Sequence, residues 1–335
     1  MAREGYVTKT FVDPRTGKRK YFYGKTEREV DKKIFAFKES VEEGRTFAEV
    51  AEEWWTDTLE RIEYQTQKGY KPALRRALDK FGERPIKEIK PREISKFLNT
   101  LKAKFAFKTL ATQRMVISLI MDTAIMDGDI DSNPCAAVKV PKGEGNVREA
   151  ASPEDEAKIK AAKDAWLFPF FALMSGMRKG EILALQWKDI DFDANLISVT
   201  KSVEFIENAP RLKGTKTEAG VRFVPLLDAL KERLLMEKNR GADLFIFSDT
   251  DGKTPLTFRR YDTLYKRYRE EVGITCTAHQ LRHSFATVAF EAGVPLKSVQ
   301  EILGHRQLST TMDIYTSFRK KALLFATDIL NEKMG

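Results

Sequence analysis

The only histidines in the chain, His279, His283 and His305, fall in one stretch near its C-terminus. Imidazoles bind metals, relay protons and hydrogen-bond to anions, so their clustering marks a place where chemistry could occur. His279 and His283 are four residues apart, a spacing that puts both rings on one face of a helix and raises a zinc pair as one reading. The residues between them argue against it. Gln280 stands where a zinc-protease helix carries its glutamate, and Arg282 beside the site repels a cation. His283 then reads as a packing or supporting residue, and neither a metal nor a cofactor is expected. An anion suits the region better. The chain carries 58 Lys and Arg against 49 Asp and Glu, a net charge of +9, and such a surface attracts phosphates.

The elements that must position these groups can be read from periodicity. At 335 residues the chain exceeds the usual single-domain length, so two or three domains are expected. Residues 1–40 hold eleven Lys and Arg against six Asp and Glu, a local charge of 11 − 6 = +5. There Tyr6 to Phe11 alternate, Asp13-Pro14 and Gly17 signal a turn, and Lys20 to Tyr23 follow, which predicts a basic β-hairpin. Thr26 can cap the next helix, with Glu29 completing a capping box. From Thr46 the pattern turns helical: Phe47, Val50, Ala51, Trp54, Trp55 and Leu59 make one apolar stripe, with Trp54 and Trp55 read as core. Further helices are predicted over 65–80, 91–104 and 108–127. The stretch Pro141 to Asn146 lacks periodicity and reads as a linker. Beyond about 151, Ser152-Pro153 opens a helix, 166–175 reads as a buried helix, and 195–199 and 221–226 read as strands with a basic Gly/Thr segment between them. Cys135 and Cys276 form no CxxC pair and read as reduced thiols in or near the core. No membrane-length apolar run and no leader are evident, so a cytoplasmic protein without a membrane partner is expected.

Three segments together resemble the tyrosine recombinases, the phage and conjugative-element integrases. Ser175-Gly176-Met177-Arg178-Lys179-Gly180-Glu181-Ile182 is similar to the family's first arginine box. His279-Gln280-Leu281-Arg282-His283 resembles the His-x-x-Arg box. Leu303-Gly304-His305, followed ten residues on by Tyr315, resembles the third. The similarity is close in the catalytic half, and only general over the helical domain and the N-terminal module.

Physical logic stands beside the resemblance. A phosphodiester attacked in line accumulates charge on its nonbridging oxygens, which the guanidinium forks of Arg178 and Arg282 could hold. A tyrosine hydroxyl needs such an electropositive site to act as its phenolate, and the resemblance makes Tyr315 that nucleophile. It implies a phosphotyrosyl ester to the DNA 3′ side and a free 5′ hydroxyl. Because bond energy is conserved, rejoining needs neither ATP nor a metal. The resemblance also implies a lysine that protonates the leaving 5′ oxygen; Lys216 aligns best, with Lys213 as its rival. His279 and His305 would bond the phosphate or assist proton transfer, and Glu181 would orient its neighbours. Tyr261, Tyr265 and Tyr268 lie on a basic helix and read as packing and phosphate-positioning residues; Arg259, Arg260 and Arg267 beside them could contact the DNA backbone.

The expected fold is multidomain α+β. It comprises a small basic β-hairpin/helix module over 1–44 that binds arm-type DNA sites, and an all-helical core-site DNA-binding domain over 45–140. A linker over 141–150 and a mixed α/β catalytic domain with a C-terminal tail helix over 151–335 complete it. The resemblance implies that the last two domains clamp double-stranded DNA and that the chain works as a homo-oligomer, a tetramer in the synaptic complex; a helper protein that sets direction is a candidate partner. Phe318, Ala322, Phe325 and Ile329 give the tail one apolar face, to be packed in cis or exchanged between protomers. Integration and excision of a mobile element is the expected role. A type IB topoisomerase and a non-catalytic DNA-binding regulator are the rivals.

Overall fold

In the computed structural model, residues 6–12, 17–142, 150–162, 164–214, 221–237, 244–249 and 252–304 are described. The chain divides into two compact units, Met1–Val147 and Arg148–Gly335.

In the first unit the alternating segment forms strand β1 (Val7–Val12), which pairs antiparallel with β2 (Arg19–Gly24) from Val7 opposite Gly24 to Val12 opposite Arg19. Helix α1 (Glu27–Glu43) folds back onto the hairpin. Val30 is fully buried, and Phe37 packs against Phe11 and Phe22 with ring centroids 5.9 and 5.3 Å away. Tyr6, Tyr21 and Tyr23 stay exposed among the basic residues. The capping arrangement differs from the one expected: the Glu29 amide donates to Thr26 Oγ1 at 3.3 Å, but the Glu29 carboxylate accepts from the Lys25 amide, one residue before the cap.

Four helices follow: α2 (Phe47–Leu59), α3 (Tyr64–Phe81), α4 (Pro91–Leu101) and α5 (Phe107–Met126). Helix α2 begins with a full capping box between Thr46 and Glu49, which satisfies donors that a helix start leaves unpaired. Phe47, Val50, Phe81, Leu98, Ile117 and Ile120 meet in one apolar core. Trp54 is buried in it and Trp55 packs against its edge. Pro72 lies inside α3, where it removes one ladder hydrogen bond. Burial of Ala73, Leu74, Ala77 and Phe81 on the following turns offsets that loss. Buried Gln113 donates to Ala73 O and accepts from Arg76, both at 2.8 Å, which ties α5 to α3. Arg114 donates to the carbonyls of Val138 and Cys135, so the chain after α5 returns along that helix.

The second unit opens with α6 (Pro153–Ala161), α7 (Leu167–Ser175) and α8 (Lys179–Leu183). Strands β3 (Ile190–Asp191), β4 (Leu196–Val199), β5 (Lys201–Ile206), β6 (Ala209–Gly214) and β7 (Arg222–Pro225) come next. Helices α9 (Asp228–Met236), α10 (Phe258–Val272), α11 (Ala278–Glu291) and α12 (Leu296–Leu303) complete it. The sheet order is β3-β4-β7, all antiparallel, with Val199 opposite Arg222. The sequence predicts two strands around a Gly/Thr segment; in the structure a further hairpin, β5-β6, occupies 201–214 between them. Val203 and Phe205 of β5 are buried and give that hairpin its anchor. Helix α7 is buried along nearly its whole length, as its unbroken apolar run requires, and lies in the core with Tyr261, Tyr265 and Tyr268 of α10.

Candidate active site

The site is assembled from elements far apart in sequence. Helix α7 ends at Gly176, whose φ of +62° is left-handed, and a Cβ there would collide with the Phe285 ring. This turn makes Arg178 the N-cap residue of α8. Gly180 then lets α8 lie against β5, since a Cβ would come within 2.5 Å of Ser202 Oγ and Val203 O. Arg178 is partly exposed; its Nη1 donates to Glu181 Oε1 at 2.9 Å and its Nη2 to Gly304 O at 2.7 Å.

Arg282 comes from α11, whose first turn is fixed by a capping box between Thr277 and Gln280. The approach to α11 is held by Asp155 of α6, whose carboxylate accepts from the Thr275 amide, the Thr275 hydroxyl and the Cys276 amide at 3.0 to 3.2 Å. Arg282 is 5% exposed and donates to Gly176 O at 2.8 Å and Leu303 O at 2.6 Å. Burial, together with the positive charges of Arg178 and Arg222, pushes its guanidinium down to about 9, opposed by Glu181. It is therefore still a cation at neutral pH.

Glu181 is the anionic hub. Burial alone would raise its carboxyl, but hydrogen bonds and charge from Arg222, with help from Arg178, hold it at about 2. Arg222 of β7 grips it through both nitrogens, Nη1 to Oε1 at 3.0 Å and Nη2 to Oε2 at 2.7 Å. Its Nε donates to Ile302 O at 2.8 Å. Arg222 carries no signal in the sequence: it lies in a short strand, and nothing local announces a partner on α8.

His279 and His283 share one face of α11, with Nε2 atoms 3.0 Å apart, so one ring donates to the other. Use of the His279 Nε2 on a phosphate would break that bond. Among the described residues no group of three or more His, Cys, Asp or Glu is arranged to hold a metal ion. Arg259, Arg260 and Arg267 are exposed on α10, with Arg267 3.2 Å from Glu271 and Arg260 3.9 Å from Asp249. Tyr261, Tyr265 and Tyr268 on the same helix are buried, and burial raises all three hydroxyls, Tyr268 to about 12. Lys213 is a strand residue of β6, opposite Ser202 and 3.9 Å from Glu204. Lys216, His305, Tyr315 and the apolar tail face through Phe318, Ala322, Phe325 and Ile329 lie outside the described residues.

Two family models match the chain: "Phage integrase family" over residues 151–322, slightly more than half of its length, and "Phage integrase central domain" over 47–140. The chain belongs to the phage integrase family. This integrase-family chain is a tyrosine site-specific recombinase. A tyrosine recombinase XerC-like protein of Caldanaerobacter subterraneus subsp. tengcongensis is 28% identical to it, the match covering 97% of this chain and 95% of that protein. The solved Tn1549 transposon integrase in complex with transposon right end DNA superposes with a TM-score of 0.67 at 21% identity, over 84% of this chain and all of that one. A lambda integrase tetramer bound to a Holliday junction gives a TM-score of 0.59 at 22% identity, over 91% of this chain and 96% of that one. The multidomain fold of this integrase is thus the fold of those proteins. Among its described residues no helix is long and apolar enough to cross a membrane.

Proposed function

We propose that this recombinase integrates and excises a mobile element, with Arg178 and Arg282 holding the scissile phosphate and Tyr315 attacking it. The observation that carries the reading is convergence: the two arginines, from α8 and α11, both donate to the last turn of α12, at Gly304 O and Leu303 O. Directly after Gly304 the sequence continues into His305 and, ten residues later, Tyr315. A guanidinium has five N–H donors, so one that already spends two on the protein retains others for phosphate oxygens. Tyr315 is also the tyrosine of the 151–322 segment that remains once the three buried in the α10 core are set aside.

In the proposed reaction the Tyr315 oxygen attacks phosphorus in line, the P–O bond to the 5′ oxygen breaks, and the 3′ phosphate stays joined to tyrosine. Lys216 protonates the departing 5′ oxygen; the strand pairing of Lys213 in β6 favours Lys216 over it. His279, released from His283, and His305 bond the nonbridging oxygens. A 5′ hydroxyl from the partner duplex then reverses the step. Double-stranded DNA is the substrate. Residues 1–44 bind arm-type sites, 45–140 bind the core site, and 151–335, joined to the core-binding domain by the linker 141–150, carry the chemistry. Arg259, Arg260 and Arg267 contact the backbone. The working form is a homo-tetramer on paired sites in the cytoplasm, with a helper protein setting direction.

The test is covalent trapping on nicked host and element DNA, with sequencing of the bound fragments and peptide mapping of the adduct. Recovery of Tyr315 on a discrete site supports the reading. Another tyrosine, or relaxation of plasmid without strand exchange, refutes it.

A further inference from the structure

Three consecutive carbonyls at the end of α12 are each taken by a different arginine: Ile302 O by Arg222, Leu303 O by Arg282 and Gly304 O by Arg178. The C-terminus of a helix carries its unpaired carbonyls and the negative end of its dipole, so it attracts cations. Arg178 and Arg282 have a role in the proposed function; Arg222 has none there. It is 11% exposed, and its Nε, Nη1 and Nη2 all donate into the protein, so it is poorly placed to meet DNA itself. Its guanidinium fits because residue 304 is a glycine at φ +64°, where a Cβ would lie 2.9 Å from Arg222 Cζ.

We propose that Arg222 is a positioning residue for DNA cleavage: from β7 it fixes Glu181, and through it Arg178, while anchoring the α12 turn that Arg178 and Arg282 also grip. The bidentate pair with Glu181 fixes that carboxylate in plane. The same carboxylate accepts from both the Arg178 amide and its Nη1. Removing the fork leaves Glu181 held by Arg178 alone, so the plane in which the carboxylate meets Arg178 is no longer fixed from β7. The Ile302 contact acts in parallel on the turn that leads to His305. Arg222 thus works on the arginine pair, not on the substrate, and the inference rests on the reading that this pair holds the phosphate.

The experiment uses the full chain and a nicked duplex of the sequence recovered by covalent trapping. Duplex affinity and single-turnover adduct formation are measured for wild type, Arg222→Met, Arg222→Lys, Glu181→Gln and Arg222→Met/Glu181→Gln. Displacement of a catalytic group by about 1 Å costs on the order of 100-fold in rate, and that loss is expected for Arg222→Met with affinity within about twofold. Arg222→Lys, with charge but no fork, should recover part of the rate. Because Arg222 acts largely through Glu181, the double variant should be far less impaired than the product of the two single losses. Adduct formation at the wild-type rate by Arg222→Met or Arg222→Lys, parallel loss of affinity and cleavage, or multiplying effects would each overturn the inference alone. A wild-type chain that forms no adduct refutes the parent reading, and the inference with it. Should Arg222→Met fail to fold, Arg222→Lys with Arg222→Lys/Glu181→Gln supplies the same cycle.

Discussion

Replacing Glu181 by glutamine removes the charge at the centre of the arginine cluster and keeps the side chain's shape. In the folded protein its carboxyl sits at about 2 against an ordinary 4.5, because Arg222 and Arg178 outweigh the cost of burial. That gap corresponds to about 3 kcal/mol of stabilisation at neutral pH. A carboxyl whose folded pKa is depressed contributes this fully above its unfolded value and loses it as pH falls through the folded one. The window therefore runs from about pH 5 down to about pH 2, and roughly 2 kcal/mol should be gone by pH 3. Glutamine binds no proton over that range. Leaving buried cations uncompensated should cost the variant about 3–5 kcal/mol at pH 7, and the gap to wild type should narrow by about 2 kcal/mol between pH 7 and pH 3. Urea unfolding followed by the fluorescence of Trp166 and Trp187, both in the second unit, measures this in a Trp54→Phe/Trp55→Phe background. Reading one unit at a time keeps the transition interpretable in a two-unit chain. A gap that stays constant from pH 7 to pH 3 would refute the claim that the arginines hold Glu181 ionised.

Asp155→Ala should lower the thermal midpoint of the second unit, since it strands the Thr275 and Cys276 amides, at a cost of about 1–3 kcal/mol; differential scanning calorimetry reads the shift. Deleting residues 1–40 removes a local charge of +5, so binding to accessory sites should fall before binding to the core site and the salt dependence should flatten. Equal losses at both sites across a salt series would count against a separate arm-binding module. Cleavage should continue in excess chelator, because Arg178 and Arg282 meet the charge on the phosphate; loss with chelator and recovery with magnesium or zinc would reopen the histidines as ligands.

Much of the local structure was legible because its causes are local. The apolar stripe from Phe47 to Leu59, Ser152 before Pro153 and the apolar run of 166–175 each define a helix within a few residues, and the structure has α2, α6 and α7 there. The i, i+4 spacing put His279 and His283 on one helix face, and the order of the three boxes identified the family. Strand β6 was not legible: Ala209-Pro210-Arg211-Leu212 has no β-branched residue, and its strand character comes from pairing with β5. That Tyr261, Tyr265 and Tyr268 are all buried also depends on what α10 packs against. Arg222 is less legible still. Its two partners lie 41 and 80 residues away, and a guanidinium in a short strand looks in sequence like any solvated cation. Sequence determined which residue types were available and which helices would carry them. Which arginine meets which carbonyl was decided only when α8, β7, α11 and α12 packed together, because a buried charge must take the partners that the low-dielectric interior leaves within reach.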